Sequence, residues 1–195
     1  MKGPLLLHSC CAPCFSYVFE LLREEYDVTA FFFNPNIAPS SEYVKRLNEM
    51  ERFSSLKGFT LLTGPYSIRE WTLQVKPYRF YGEGSVRCRE CFRIRLEASF
   101  RKAVELGIGC VATTLSISPH KNAGMINSIG SELSEKYGIS FLEADFKKKD
   151  GFRKSVELSR EHGFYRQSYC GCIYSKLERN RDRLWPGSRK EEKGG

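Results

Sequence analysis

Seven of the eight cysteines in this 195-residue chain fall into three tight groups. The groups are Cys10, Cys11 and Cys14, then Cys88 and Cys91, then Cys170 and Cys172. A free cysteine that serves packing is usually a single small apolar side chain in a core, whereas closely spaced thiols are typical of metal ligands or redox pairs. The grouping therefore predicts sulfur chemistry. Cys110 lies inside an apolar run instead, and we predict that it is a core residue.

After its first four residues the chain has an apolar run, Leu5 to Leu7, that is too short for a secretory signal or a membrane span. The sequence therefore predicts a cytoplasmic protein with no membrane segment. Stable structural disulfides are rare in a reducing cytoplasm, so this number of cysteines favours a metal or catalytic role. With 41% hydrophobic residues, the chain can bury a core without covalent cross-links.

The formal net charge of +8 is compatible with a phosphate-rich partner such as nucleic acid, but charge alone does not identify one. Part of the positive charge lies near the carboxyl terminus. We predict a single α/β domain over residues 1–185 and a flexible basic tail over residues 186–195.

Short apolar runs alternate along the chain with longer amphipathic segments. The runs predicted to be strands are 5–8, 28–33, 59–62, 110–117 and 139–143. The segments predicted to be helices are 15–26, 41–57, 67–76, 89–106, 121–137, 152–162 and 172–184. This alternation predicts an α/β fold with a doubly wound, mostly parallel, Rossmann-like sheet and helices on both faces.

The predicted fold also places the cysteines. Ligands of open α/β sheets bind beyond the carboxyl ends of the strands, at the crevice where the strand order reverses. The first cysteine group follows the first strand, the second opens the fourth helix, and the third precedes the last helix. We therefore expect the three groups to meet at one edge of the sheet. At the second group, the positive end of the helix dipole is expected to favour thiolates.

Spacing alone leaves three kinds of site open. A [4Fe-4S] cluster takes four thiolates from distant parts of a chain. A zinc site commonly uses two C-x-x-C pairs, and Cys88 with Cys91 supplies one of them. Cys11 and Cys14 form a C-x-x-C pair after a strand, as in thiol-exchange proteins. ATP use is disfavoured, because the loop after the first strand has no glycine to cradle phosphates.

A further set of residues is predicted to contact the substrate. Some of them lie in loops after predicted strands, and others form an aromatic and polar run of the kind that stacks on an unstacked base. The same residue types are also common in ordinary turns. The set comprises His8, Asn34, Asn36, Ser118, Lys121, Tyr165, Arg166 and Gln167.

Five strings, taken in order, resemble the cobalamin-independent epoxyqueuosine reductases, the QueH family. They are His8 to Cys14, Phe33 to Ile37, Cys88 to Cys91, Thr113 to Pro119 and Tyr165 to Cys172. The resemblance implies an oxidoreductase that reduces epoxyqueuosine, at the wobble position of tRNA, to queuosine. It also implies an electron donor, which the sequence does not identify.

The resemblance assigns roles to the cysteine groups as well. The implied [4Fe-4S] ligands are Cys10, Cys11, Cys88 and Cys91. It implies that Cys170 and Cys172 form a redox-active disulfide, which leaves Cys14 as a further candidate catalytic thiol. These last three thiols could instead hold a second metal ion, and the sequence does not decide between the two. A metal-free thiol–disulfide oxidoreductase and a zinc-containing nucleic-acid-binding protein remain the alternatives.

Overall fold

Strands and helices alternate along the chain in the predicted order. The computed structural model describes residues 2–184, apart from the side chain of Asp182, so the predicted tail at 186–195 lies outside the described residues. The strands are β1 (Gly3–Ser9), β2 (Tyr26–Phe32), β3 (Leu61–Thr63), β4 (Cys110–Thr113) and β5 (Ser140–Phe141). The α-helices are α1 (Ala12–Leu22), α2 (Ser40–Lys57), α3 (Ile68–Val75), α4 (Val86–Leu106), α5 (Ala123–Tyr137), α6 (Gly151–Glu161) and α7 (Ile173–Leu184). Two 3₁₀ turns, Lys76–Tyr78 and Thr114–Ile117, precede α4 and α5.

The described strands form one parallel sheet in the order β3-β2-β1-β4-β5. The chain moves outward from β1 through β2 to β3 and then returns to place β4 on the other side of β1. Strand order therefore reverses between β1 and β4, and the crevice of a doubly wound sheet opens at their carboxyl ends. The register pairs His8 of β1 with Thr113 of β4 close to this crevice. The predicted fold class is confirmed.

Apolar cores lie on both faces of the sheet. Leu5 and Leu7 of β1 pack on the face covered by α1 and α2, whereas Leu6 packs on the face covered by α4 and α5. All three leucines are fully buried. Each contributes about 1.5–3 kcal/mol through burial of its side chain. The apolar run in β1 is continuous because helices cover both faces of the sheet, as the sequence predicted.

Two predicted boundaries were wrong in ways that bear on the site. The predicted strand 110–117 ends at Thr113 and continues as a 3₁₀ turn, because the Thr113 hydroxyl accepts a hydrogen bond from the Leu115 N–H at 3.2 Å. The first helix begins at Ala12, not at residue 15, so Cys14 lies in its first turn. Cys110 is half-buried against the core, in agreement with the prediction.

The last helix, α7, packs against α3 and α4 at the side of the domain. A small cluster there joins Trp71 and Val75 of α3, Cys91 of α4 and Cys172, which precedes α7. The carboxylate of Glu178 on α7 also accepts from a buried arginine of α4. These contacts hold the third cysteine group close to the second. Among residues 2–184, no helix has the length and apolar character needed to cross a membrane.

Candidate metal centre and active site

A triad of thiols occupies the crevice at the end of β1. Because β1 ends at Ser9 and α1 begins at Ala12, Cys10 and Cys11 form the two-residue connection between them. Cys14 follows in the first turn of α1. The three Sγ atoms lie within 4.8 Å of one another, and those of Cys10 and Cys11 are 3.6 Å apart. Three sulfurs at this separation can ligate one metal centre.

The three thiols of the triad differ in their pKa values. Hydrogen bonds from the thiols of Cys11 and Cys14 hold the pKa of Cys10 well below its usual range. The same contact with Cys10 raises the pKa of Cys11 to about 11, and the pKa of Cys14 is raised as well. The triad therefore favours a single thiolate, at Cys10. A bound metal would replace the two remaining thiol protons, since cysteine binds metals as thiolate.

The two cysteines of the second group lie one helical turn apart on α4. Cys88 and Cys91 share a face of the helix because their spacing is i, i+3. Burial raises the pKa of Cys88 to about 12, and it also raises the pKa of Cys91. The expected stabilisation of thiolates by the helix dipole is thus outweighed here, because removal from water penalises the charged form more strongly. The Gly84 N–H still donates to the Cys88 sulfur at 3.2 Å.

The third group links the other two. Cys170 is half-buried and lines a cavity of about 280 Å³ together with Cys10 and Cys14. It also lines a smaller neighbouring cavity with Cys88. Cys172 is buried in the cluster that contains Cys91, and its pKa is raised by burial and by the nearby Cys170 sulfur. All eight cysteines are free thiols. Among the described residues, the only three cysteine sulfurs that lie within 4.8 Å of one another are those of Cys10, Cys11 and Cys14, while the other two groups adjoin this triad through the shared cavities and the cluster of Cys91 and Cys172.

The rest of the larger cavity combines apolar surface with polar side chains, of which most of the charged ones are cationic. Its lining includes four of the predicted substrate residues together with two further basic side chains. These are Ser118, Lys121, Arg166, Gln167, His120 and Arg179. Burial acts to lower the pKa of Lys121, but the sulfurs of Cys170, Cys10 and Cys14 outweigh it and the pKa is raised. Lys121 is therefore a cation beside the thiols.

Two side chains give the cavity further recognition chemistry. The Gln167 Nε2 donates to the Cys11 sulfur at 3.1 Å, which ties the 165–172 segment to the triad. Phe152, on α6, exposes 36% of its surface and lines the cavity. The Arg166 guanidinium lies 5.9 Å from the centre of its ring. An aromatic ring beside cations is a surface typical of nucleotide recognition. No local sequence pattern marks Phe152 as a site residue.

His8 does not line the cavity. It is fully buried on β1, with Nδ1 2.9 Å from the Thr113 hydroxyl and Nε2 3.2 Å from the Phe33 carbonyl oxygen. Burial, assisted by the charge of Arg95, lowers the pKa of His8 to about 3. The imidazole is therefore neutral and fixed between strands. A substrate contact through His8 remains a prediction, and its surroundings favour a structural role.

Asn34 and Asn36 are also buried behind the cavity wall. The Asn34 amide donates to the Ser9 carbonyl at 2.9 Å and accepts from Arg95 at 2.5 Å. These bonds position the end of β1 just before the triad. The Asn36 Oδ1 is buried and has no hydrogen-bond partner within residues 2–184.

Tyr165 contacts a buried ion pair that the sequence did not reveal. Its hydroxyl donates to Glu42 at 3.0 Å, and Glu42 accepts from the buried Arg46 at 2.8 Å. Glutamate and arginine at i, i+4 are typical of an exposed helix face. Nothing local in the sequence indicates that this pair is buried.

The fold and the thiol-rich crevice define an α/β protein of the Rossmann-like class with a candidate metal centre. Two solved structures have similar folds. The U34-tRNA thiolase NcsA from Methanococcus maripaludis with its [4Fe-4S] cluster superposes with a TM-score of 0.52 at 14% identity, covering 96% of this chain and 68% of that one. A predicted subunit of a tRNA methyltransferase from Methanocaldococcus jannaschii gives a TM-score of 0.51 at 13% identity, covering 80% and 76%. Such low identities show the fold alone.

The chain belongs to the epoxyqueuosine reductase QueH family, which it matches over residues 5–178. It is 42% identical over 181 residues to an epoxyqueuosine reductase QueH from Streptococcus pyogenes serotype M1, covering 90% of this chain and 71% of that protein. It is 41% identical over 181 residues to the QueH of Thermotoga maritima, covering 91% and 92%. These matches confirm the family predicted from the five strings.

Proposed function

We propose that this chain is an oxidoreductase that reduces epoxyqueuosine in tRNA to queuosine by means of an iron–sulfur centre. The observation that carries the proposal is the thiol triad at the sheet crevice, in a chain that matches the QueH family over residues 5–178. The adjoining cavity, about 280 Å³, is large enough for a nucleobase and is lined by cations that can contact the phosphates of the RNA backbone.

The chemistry of the reaction determines what the site must supply. Conversion of an epoxide to an alkene breaks two C–O bonds, consumes two electrons and two protons, and releases the oxygen as water. When bound, a [4Fe-4S] cluster supplies electrons one at a time. The chain's own residues bind and orient the base. Phe152 and Arg166 offer a stacking surface, whereas Lys121 and Arg179 attract phosphate.

The proposed cluster ligands are those implied by the family resemblance. They are Cys10, Cys11, Cys88 and Cys91. Cys88 packs against the same apolar cluster as Cys10 and Cys11, as Cys14 also does, whereas Cys91 lies in the neighbouring cluster with Cys172. Under this assignment Cys14, Cys170 and Cys172 hold a second metal ion or exchange electrons as thiols.

The short separations within the triad favour a second assignment, in which Cys14 is a cluster ligand beside Cys10 and Cys11. Serine variants distinguish the two. If the first set is right, Cys88→Ser loses most of its iron and sulfide, whereas Cys14→Ser keeps them. The triad assignment predicts instead that Cys14→Ser loses them, so the iron content of Cys14→Ser decides between the two. Cys110→Ser is the matched control, since Cys110 packs against the core on β4, and both assignments predict full iron content for it.

The function itself is tested with tRNA that carries epoxyqueuosine. Anaerobically purified protein and a low-potential chemical reductant should remove one oxygen atom from the modified base, as measured by mass spectrometry of digested tRNA. No conversion by iron-replete protein would overturn the proposal. Conversion by protein freed of metal would favour a thiol–disulfide oxidoreductase. Tight tRNA binding with zinc and without conversion would indicate a nucleic-acid-binding protein.

A further inference from the structure

Residues 164–172 carry Cys170 to the cavity without forming a helix or strand. Their backbone carbonyls therefore need partners from elsewhere, because an unpaired buried carbonyl is costly. Arg46 of α2 supplies two of them. Its Nη1 donates to the Cys170 carbonyl at 3.1 Å, and its Nη2 lies 3.4 Å from the Tyr169 carbonyl. One guanidinium thus binds the carbonyls of two adjacent residues in the thiol segment.

The guanidinium is itself held in place. The Arg46 side chain is only 1% exposed, and its Nε donates to Glu42 at 2.8 Å. The hydroxyl of Tyr165 donates to the other oxygen of the same carboxylate, at 3.0 Å. A buried charge that is paired and fully hydrogen-bonded has little freedom to move. Arg46 is therefore a rigid support and not a mobile surface cation.

Gly171 shows how closely the segment is packed on this support. Its φ of +129° lies in a region that favours glycine, and a Cβ there would stand 3.1 Å from both the Arg46 Nη1 and the Ile37 Cγ1. The Gly171 carbonyl accepts from the Ala38 N–H at 2.9 Å. The backbone beside Cys170 is thus clamped between α2 and the loop that precedes it.

We propose that Arg46 is a positioning residue that fixes the Cys170 thiol in the cavity opposite Cys10 and Cys14. The proposal rests on the proposed function for its catalytic consequence, but the clamp is a property of the fold. Arginine suits this role, because its planar fork reaches Glu42 and two carbonyls at once, whereas a lysine ammonium is a single point of contact.

The test compares Arg46→Lys with Arg52→Lys. Arg52 also lies on α2 and also donates to a carbonyl, that of His162 at 2.9 Å, but it is exposed and remote from the thiols. Iodoacetamide alkylation of pre-reduced holoenzyme, followed by peptide mass spectrometry, measures access to the Cys170 thiol. We expect Arg46→Lys to alkylate at Cys170 at least ~5-fold faster than wild type, while Arg52→Lys stays within ~2-fold. Arg46 holds the backbone carbonyl of Cys170 itself, whereas Arg52 contacts the segment only at its start, where its guanidinium lies 5.0 Å from the centre of the Phe164 ring.

Turnover gives the second readout. With wild-type conversion established, Arg46→Lys should lower kcat by ~10- to 100-fold and change KM by less than ~3-fold, since misplacement of a reacting group costs rate more than binding. Equal alkylation rates and equal kcat in the Arg46→Lys and Arg52→Lys proteins would overturn the proposal. If Arg46→Lys fails to fold, Glu42→Gln loosens the same guanidinium and should show the same two effects at smaller size. If wild type does not act on tRNA, the proposed function fails, whereas the alkylation comparison still decides the role of Arg46.

Discussion

Arg87 joins the first turn of α4 to α7, and its removal should loosen the helix that follows Cys172. Its side chain is 3% exposed and donates to Glu178 at 2.6 Å, and also to the carbonyls of Arg79 and Tyr81. The guanidinium lies 4.7 Å from the centre of the Tyr174 ring. A single buried cation therefore connects α4, the loop before it and α7.

The structure sets the size of the effect. A hydrogen bond to a charged group contributes about 1.5–3 kcal/mol when buried. Glu178 is 23% exposed, so solvent screening reduces its share to about 1–2 kcal/mol. Arg87→Met keeps the apolar stem but also loses the two carbonyl contacts, and it should cost about 2–4 kcal/mol in the free energy of unfolding.

A double-mutant cycle isolates the ion pair. Anaerobic urea unfolding of wild type, Arg87→Met, Glu178→Gln and the double variant should give a coupling energy of about 1–2 kcal/mol. Arg101→Met is the control on the same helix, and it should cost less than about 1 kcal/mol because its side chain is 69% exposed. A coupling energy near zero would refute the idea that this pair anchors α7.

Three further predictions concern a close-packed glycine, the Cys170 thiol and one cation of the cavity. Gly151→Ala should destabilise the protein by about 1–3 kcal/mol in urea unfolding, because the added Cβ would lie 1.8 Å from a backbone carbonyl oxygen, whereas Gly109→Ala has open space and should be nearly neutral. Cys170→Ser should keep the four-iron absorption but stop conversion of epoxyqueuosine, and Cys110→Ser should preserve both; normal conversion by Cys170→Ser would make that thiol structural. Arg179→Gln should reduce the salt dependence of tRNA binding by about one counterion, as measured by titration at several salt concentrations, and an unchanged slope would remove Arg179 from the phosphate contacts.

The fold could be predicted because its signals are local. Continuous apolar runs such as Leu5 to Leu7 mark strands covered on both faces, and the alternation with amphipathic segments marks the helices between them. The crevice rule then placed Cys10 and Cys11 correctly at the end of β1. The turn at 114–117 was missed, because an apolar run does not reveal whether a threonine hydroxyl caps its end.

The arrangement of the site depends on contacts that sequence patterns do not encode. The proximity of Cys14 to Cys10 and Cys11 requires helix α1 to begin at Ala12, three residues before the apolar periodicity indicates. Arg46 binds backbone carbonyls of the 164–172 segment, more than a hundred positions later in the chain. Such long-range packing overrides the local pattern of an exposed Glu–Arg pair.

The most direct test of the account is the metal and sulfide content of protein purified without oxygen. The account predicts about four irons and four sulfides per chain and broad visible absorption, as for a cuboidal cluster, with loss of all three in Cys10→Ser. Stoichiometric zinc without sulfide, or no metal at all, in protein that still converts epoxyqueuosine in tRNA would contradict it.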